Sequence, residues 1–233
     1  MKYIKELFKR KMVVAAFAIV FALILLYNTG FLHGEDNRIK ITCVGDSLTY
    51  GSGVLKTRET DCYPAQLQTS LGTSHEVFNF GLRNATASTN GDLPYVESAE
   101  YADSLESNAD IVVLMLGTND SKTYNWNDAD YEQGLRDLVN TYKSMNSQPT
   151  VYLMGSPYCY ALDGSDVAEY DIQPTVVAEE VIAIQKTVAE DLGVTYIDLY
   201  SLTEGQEDLY TDGIHFNKNG YELIADTVEK AIK

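Results

Sequence analysis

The sequence is poor in basic residues, and those it has are unevenly placed. Five of its 17 lysines and arginines lie within the first eleven residues, which contain a single acidic residue. The remainder carries 12 basic and 33 acidic side chains, and therefore a formal charge of −21. Such a negative surface repels phosphate backbones, which argues against nucleic acid as a partner.

Cysteine and histidine are also scarce, with three of each in 233 residues. Three cysteines cannot form the framework of a disulfide-rich domain. Cys43 lies in an apolar run and is expected in the core, whereas pairing of Cys62 with Cys159 stays open. The histidines are scattered and accompany no cysteine cluster, so no metal-ligand spacing is present. We therefore expect neither a metal nor a cofactor.

Long apolar runs are absent except near the start, where "MVVAAFAIVFALILLY" covers 16 uncharged residues after the basic segment. A membrane-spanning helix needs about 20 apolar residues, a length that the run reaches when it is extended to residue 32. No Ala-x-Ala cleavage signal follows. We predict a cytoplasmic segment over 1–11, a signal-anchor transmembrane helix over 12–32, a linker over 33–39 and an extracellular domain over 40–233. Secretion after signal cleavage is the alternative.

The rest of the chain alternates apolar runs with helical patterns. Five short runs, "IKITCV", "HEVFNFG", "IVVLMLG", "TVYLMGSP" and "VTYIDLY", are typical of buried strands. Amphipathic patterns lie between them, and the chain closes with one for which Asn217 is a plausible N-cap. This order predicts an α/β fold of three layers, α/β/α, around a five-stranded parallel sheet. Sites on such sheets gather at the carboxyl ends of the strands.

Residues suited to acyl transfer follow several of these strands. Ser47 comes directly after the first strand, Asn119 after the third, and Asp212 and His215 after the last. A serine hydroxyl becomes a nucleophile when a base takes its proton, and histidine is the side chain that titrates near neutral pH. A carboxylate three residues before the histidine can hold the other ring nitrogen. We therefore predict Ser47 as nucleophile, His215 as base and Asp212 as its partner.

An oxyanion needs preorganised donors, for which the Asn119 amide and the backbone N–H groups of Ser47 and of the second strand's turn are candidates. Simpler interpretations exist for single residues. Asn119 could cap a following helix, Asp212 could belong to a plain turn, and Asp46 is expected to hold the turn around Ser47. The convergence of independent segments on one sheet edge favours catalysis.

Four blocks carry a family resemblance: "GDSLTYG", "NFGLRNAT", "GTND" and "DGIH". They are similar to the motifs of the SGNH (GDSL-type) hydrolases, over roughly residues 40–233. The resemblance implies a flavodoxin-like hydrolase fold and the same three catalytic residues, with Ser47, Asn84 and Asn119 forming the oxyanion hole. The family usually has glycine where this chain has Asn84. Asparagine tolerates a left-handed backbone and leaves the N–H donor in place.

The run "GTNDSKTYNW", together with "YPAQLQ" and "GDLPY", resembles the branch of esterases that act on acetylated carbohydrates. We predict hydrolysis of small acyl esters, chiefly acetyl, through an acyl-enzyme. A lysophospholipase or thioesterase would use the same triad with a larger acyl pocket. An O-acetyltransferase would pass the acyl group to a sugar hydroxyl. A surface binding module would need no triad, and the intact triad argues against it.

Overall fold

The computed structural model describes residues 2–28 and 37–233. The chain divides into two units, Met1–Asn37 and Arg38–Lys233, and each is described by itself. The first contains one helix, α1, which runs from Lys2 to Asn28. No helix in the two described ranges combines the length and the apolarity that crossing a membrane requires. The transmembrane helix predicted over 12–32 is thus not confirmed: the apolar run is only 16 residues long, and its extension over 29–32 lies outside the described residues.

The second unit is built on a parallel sheet of five strands in the order β2-β1-β3-β4-β5. The strands are β1 (Ile39–Gly45), β2 (His75–Gly81), β3 (Ile111–Met115), β4 (Thr150–Met154) and β5 (Thr195–Ile197). The predicted α/β architecture and all five strands are confirmed. Because β1 is followed by β2 on one side and β3 is added on the other, the winding reverses between β1 and β3. A crevice forms at this point in sheets of this kind.

Helices connect the strands and cover both faces of the sheet. They are α2 (Ser47–Tyr50), α3 (Arg58–Asp61), α4 (Tyr63–Leu71), α5 (Ala99–Glu106), α6 (Asp128–Lys143), α7 (Pro174–Val176), α8 (Ile182–Leu192), α9 (Leu199–Thr203) and α10 (Lys218–Ile232). A π-helical turn, Val177–Val181, joins α7 to α8. As predicted, Asn217 caps α10, with its side chain accepting from two backbone N–H groups.

Alternate residues of the strands feed two separate cores. On β3, Val112 and Leu114 face a cluster that includes Leu135 and Val139 of α6. Val113 and Met115 face the other cluster, which includes residues of α4 and α10. The period of two explains why these strands are apolar on both sides. The sheet is thereby held between two helical layers, and its carboxyl edge stays fixed.

Candidate active site

A single helical turn positions Ser47 at the end of β1. The Asp46 side chain accepts a hydrogen bond of 2.9 Å from the Leu48 N–H and so caps α2. The turn ends at Gly51, which has a left-handed φ of 99°. Gly45 has room for no side chain, because a Cβ there would lie 2.5 Å from the Met115 carbonyl oxygen. Ser47 therefore occupies the first position of a helix, where its own N–H has no partner within the helix.

Ser47, His215 and Asp212 form one continuous chain of hydrogen bonds. Ser47 Oγ lies 3.0 Å from His215 Nε2, and His215 Nδ1 lies 2.7 Å from Asp212 Oδ2. The second carboxylate oxygen accepts from the backbone N–H groups of Ile214 and His215 at 3.0 and 2.7 Å. With Nδ1 donating to a carboxylate, Nε2 is left as the acceptor for the serine hydroxyl. This is the arrangement that a histidine base requires.

The carboxylate of Asp212 remains ionised in this setting. Partial burial alone raises the pKa of Asp212, but the hydrogen bonds from the His215 ring and backbone outweigh it and hold this pKa below its usual value. His215 is 7% exposed, so its positive form would have little water to stabilise it. A fixed negative charge 2.7 Å away supplies that stabilisation when the ring takes up a proton.

Asn119 contacts Asp46, the residue before Ser47, and its amide already has two acceptors. Its side-chain amide donates to Asp46 Oδ2 at 3.2 Å and to the Ala85 carbonyl at 3.1 Å. The helix-cap interpretation of Asn119 is wrong, because the next helix begins at Asp128 and is capped by Asn127. An oxyanion at Ser47 would therefore share the Asn119 amide with one of these two acceptors. The predicted structural role of Asp46 agrees with its two hydrogen bonds.

Asn84, the third predicted oxyanion residue, has a left-handed backbone with φ of 67° and an exposed side chain. This is the conformation for which glycine is usual and which asparagine adopts more readily than most residues. Among the backbone hydrogen bonds of the described ranges, none uses the Asn84 N–H as donor. The substitution of asparagine for glycine therefore leaves the turn's geometry and a main-chain donor in place.

Sequence analysis missed the residue that joins the second and third blocks. Asp120 is 1% exposed and accepts from the N–H groups of Ala87 and Ser88 at 3.0 and 2.8 Å. Burial raises the pKa of Asp120 to about 7, and burial likewise raises the pKa of Asp46 to about 6. An Asn-Asp pair in a turn is common, so only the fold reveals that this aspartate faces inward. It fixes the turn that carries Asn84 against the one that carries Asn119.

Sequence analysis also missed Tyr170, which lies in the loop between β4 and α7. Its ring contacts that of His215 edge-on, with 5.3 Å between centroids and 70° between planes.

Cys43, Cys62 and Cys159 are free and buried, so the disulfide left open between Cys62 and Cys159 is not formed. Within residues 2–28 and 37–233, no three histidine, cysteine or acidic side chains are grouped to hold a metal.

A sequence model of the GDSL-like Lipase/Acylhydrolase family matches residues 43–223, which include all of the residues just described. The chain belongs to this family. Its members are carboxylic ester hydrolases, and the family resemblance seen in the four sequence blocks is confirmed.

Three proteins illustrate how this acylhydrolase compares with characterised relatives. An acetylxylan esterase of Xylanibacter ruminicola is 32% identical in an alignment 213 residues long, which covers 85% of this chain and 44% of the relative. A carbohydrate acetylesterase family member from Sinorhizobium meliloti superposes with a TM-score of 0.66 at 20% identity, covering 83% of this chain and 97% of that one. The aryl esterase of M. smegmatis superposes with a TM-score of 0.63 at 20% identity, covering 83% of this chain and 98% of that one. At these identities the two structures show a shared fold, and the chain spans less than half the length of the curated relative.

Proposed function

We propose that the chain is a serine esterase that hydrolyses small acyl esters, chiefly acetyl esters of carbohydrates, through an acyl-enzyme. The observation that carries the proposal is the hydrogen-bonded series Ser47–His215–Asp212, with distances of 3.0 and 2.7 Å. The acetyl and carbohydrate parts are supported by the likeness to the Xylanibacter acetylxylan esterase.

In the proposed reaction, each step has a proton donor and a proton acceptor among these residues. His215 Nε2 takes the proton of Ser47 Oγ as that oxygen attacks the ester carbonyl carbon. The resulting oxyanion accepts from the Ser47 N–H, the Asn84 N–H and the Asn119 amide. The imidazolium then passes the proton to the leaving alkoxide oxygen, and the carbon–oxygen bond to the alcohol breaks. Water then gives a proton to the same ring as it attacks the acyl carbon, and the ring passes that proton to Ser47 Oγ as the acyl–Oγ bond breaks and the acid leaves.

A chain-length series of p-nitrophenyl esters tests both the activity and the acyl class. Wild type is expected to turn over the acetyl ester, and Ser47→Ala to lose about three or more orders of magnitude in kcat. Ser52→Ala is the matched control, since the buried hydroxyl of Ser52 has no hydrogen-bond partner in the described part of the chain. A fluorophosphonate should label wild type and the control but not Ser47→Ala. Normal turnover by Ser47→Ala would reject the proposal.

The same series separates this function from its rivals. A lysophospholipase or thioesterase would gain about 0.8 kcal/mol of binding per added methylene, and its kcat/KM would climb with acyl length. An O-acetyltransferase would consume acetyl ester faster when a sugar acceptor is added. A binding module would show no turnover at all.

We also propose that residues 40–233 act outside the cytoplasm, anchored through the N-terminal segment. The five basic residues among the first eleven and the uncharged run after them support this orientation. The measurement is cell fractionation of the full chain, with external protease applied to intact cells. Retention in the membrane fraction after a high-salt wash supports anchoring. Recovery of a soluble form that begins near residue 34 would show that the N-terminal segment is cleaved and that the protein is secreted.

A further inference from the structure

We propose that Tyr170 forms the wall of the subsite for the alcohol part of the ester, where its ring packs against the face of a sugar. This inference rests on the proposed esterase function and deepens it by naming a residue that selects the leaving alcohol.

The position of the Tyr170 ring is the first observation. It contacts the His215 ring edge-on at 5.3 Å, yet 49% of Tyr170 is exposed. The buried tyrosines of the core, such as Tyr131, have no accessible surface. Tyr170 therefore covers the catalytic base with one side and leaves the other available to a ligand. An aromatic ring in this setting provides a large apolar surface at little cost in side-chain entropy.

The backbone beneath the ring is the second observation. Tyr170 and Asp171 both have left-handed conformations, with φ of 63° and 61°. Such a conformation is unfavourable for a residue other than glycine. Strain of this kind persists where the surrounding structure enforces it, and it clusters at binding and active sites.

Two backbone hydrogen bonds enforce this conformation. The Thr123 N–H donates to the Asp171 carbonyl at 3.1 Å and ties the loop to the segment that follows Asn119. The Ala168 N–H donates to the Ile172 carbonyl at 2.8 Å and closes the turn around Tyr170. The backbone that carries the ring is therefore tied down by main-chain hydrogen bonds, and the ring itself rests against His215.

The chemistry of the reaction brings the alcohol to this surface. His215 Nε2 must come within about 3 Å of the leaving oxygen to protonate it. The carbons of the alcohol then extend past the imidazole, whose ring Tyr170 contacts, whereas the carbonyl oxygen must meet the oxyanion donors. A methyl group offers little surface to the Tyr170 ring, whereas a pyranose ring offers a whole face. Its C–H face is apolar and matches the face of an aromatic ring.

The Tyr170 hydroxyl lies near Asp212, whereas the ring contacts His215. Partial burial and the negative charge of Asp212 raise the pKa of Tyr170, so the phenol stays neutral in the working range. Phenylalanine at this position would keep the ring and lose only this polar group. The pair Tyr170→Phe and Tyr170→Ala therefore separates a role of the ring in binding alcohol from a role of the hydroxyl in orienting Asp212.

The experiment compares two acetyl esters that differ only in their alcohol, methyl acetate and an O-acetylated methyl xyloside, with acetate release as the common assay. For Tyr170→Ala we expect kcat/KM on the sugar ester to fall about tenfold, mainly through KM, which corresponds to about 1.4 kcal/mol. On methyl acetate the change should stay within about twofold, and Tyr170→Phe should resemble wild type on both esters. Tyr124→Ala, which removes a tyrosine that is 60% exposed at another place, is the matched control.

Three results would overturn the inference: an equal loss on both esters, an equal loss in Tyr170→Phe, or an unchanged sugar ester in Tyr170→Ala. The first two would assign Tyr170 to the positioning of Asp212 and His215. Failure of the proposed function is a separate result, because wild type itself would then release acetate from neither ester. Circular dichroism of each variant establishes that it is folded.

Discussion

The Asn119 side chain donates to the Asp46 carboxylate across 3.2 Å, and this contact joins the ends of β3 and β1 directly beside Ser47. The other oxygen of the same carboxylate caps the helical turn that carries the nucleophile. One buried aspartate thus sets both the serine and the amide expected to stabilise the oxyanion. Its substitution should affect catalysis although Asp46 takes part in no proton transfer.

Asp46→Asn is expected to lower kcat by about 10- to 100-fold, because two amide groups would face each other and displace Asn119. The free energy of unfolding should fall by about 1–3 kcal/mol, since a buried donor loses its acceptor. Steady-state kinetics and urea unfolding measure the two effects. Asp110→Asn is the control: Asp110 also accepts a backbone N–H, from Lys40, but at the opposite end of the strands. An unchanged kcat in a folded Asp46→Asn protein would contradict this role.

Asp212→Asn should reduce kcat by about 10²- to 10⁴-fold, because an amide no longer fixes the Nδ1–H form of the His215 ring. The melting temperature should change little, since the asparagine oxygen still accepts from the backbone of Ile214 and His215. Asp212→Ala removes these acceptors too and should be about 1–2 kcal/mol less stable. A kcat of Asp212→Asn within threefold of wild type would show that Asp212 does not orient the base.

The acyl-length preference should depend on Asn84. We expect kcat/KM to be highest for acetyl esters and to decrease by butyrate or hexanoate. Asn84→Gly should relax this preference because it keeps the N–H and the left-handed φ of 67° while removing the side chain. Asn84→Ala retains a Cβ in that conformation and should cost about 1 kcal/mol of stability. If Asn84→Gly keeps the wild-type profile, another wall of the pocket sets the limit.

The stability of the protein should depend on the protonation of Asp120. Because burial raises the pKa of Asp120 to about 7, the folded state holds a proton that the unfolded chain releases at lower pH. The stabilisation of the folded state by this proton is fully present below pH 4 and is lost as the pH rises towards 7. Asp120→Asn stays neutral throughout, so its free energy of unfolding relative to wild type should increase between pH 4 and 8.

Urea unfolding at several pH values measures that trend, and Asp198→Asn provides a control of opposite sign. Burial raises the pKa of Asp198, but hydrogen bonds from the Ser201 N–H and the Lys186 ammonium outweigh burial and hold this pKa below its usual value. Relative to wild type, Asp198→Asn should therefore lose stability as the pH rises through the most acidic range. A difference between wild type and Asp120→Asn that does not vary with pH would show that Asp120 is ionised in both states.

Sequence patterns could predict the sheet and three of the site's residues for a physical reason. Parallel strands buried on both faces are continuously apolar, and a polar residue directly after such a run must lie at the sheet's carboxyl edge. Ser47 and Asn119 satisfy this condition, and their convergence follows from topology alone. His215 lies beyond α9, well after the end of β5, and its prediction depends on the Asp-x-x-His spacing with Asp212.

The remaining features depend on contacts that have no local signal. The left-handed pair Tyr170–Asp171 contains no glycine, so nothing in its sequence marks the turn. Lys122 is 3% exposed and paired with Asp92 at 3.1 Å, although a lysine in a polar loop is expected at the surface. Each has a partner that is distant in sequence, Thr123 for Asp171 and Asp92 for Lys122. The fold had to be known before either residue could be placed.

The Ser47–His215 hydrogen bond joins positions 168 residues apart, and α10 follows the histidine to pack with α4 in one core. In the proposed esterase, a chain emerging from the ribosome therefore carries its nucleophile early and lacks its base until residue 215 has been made. Ester turnover then requires the segments at both ends of this span to have packed together in one core.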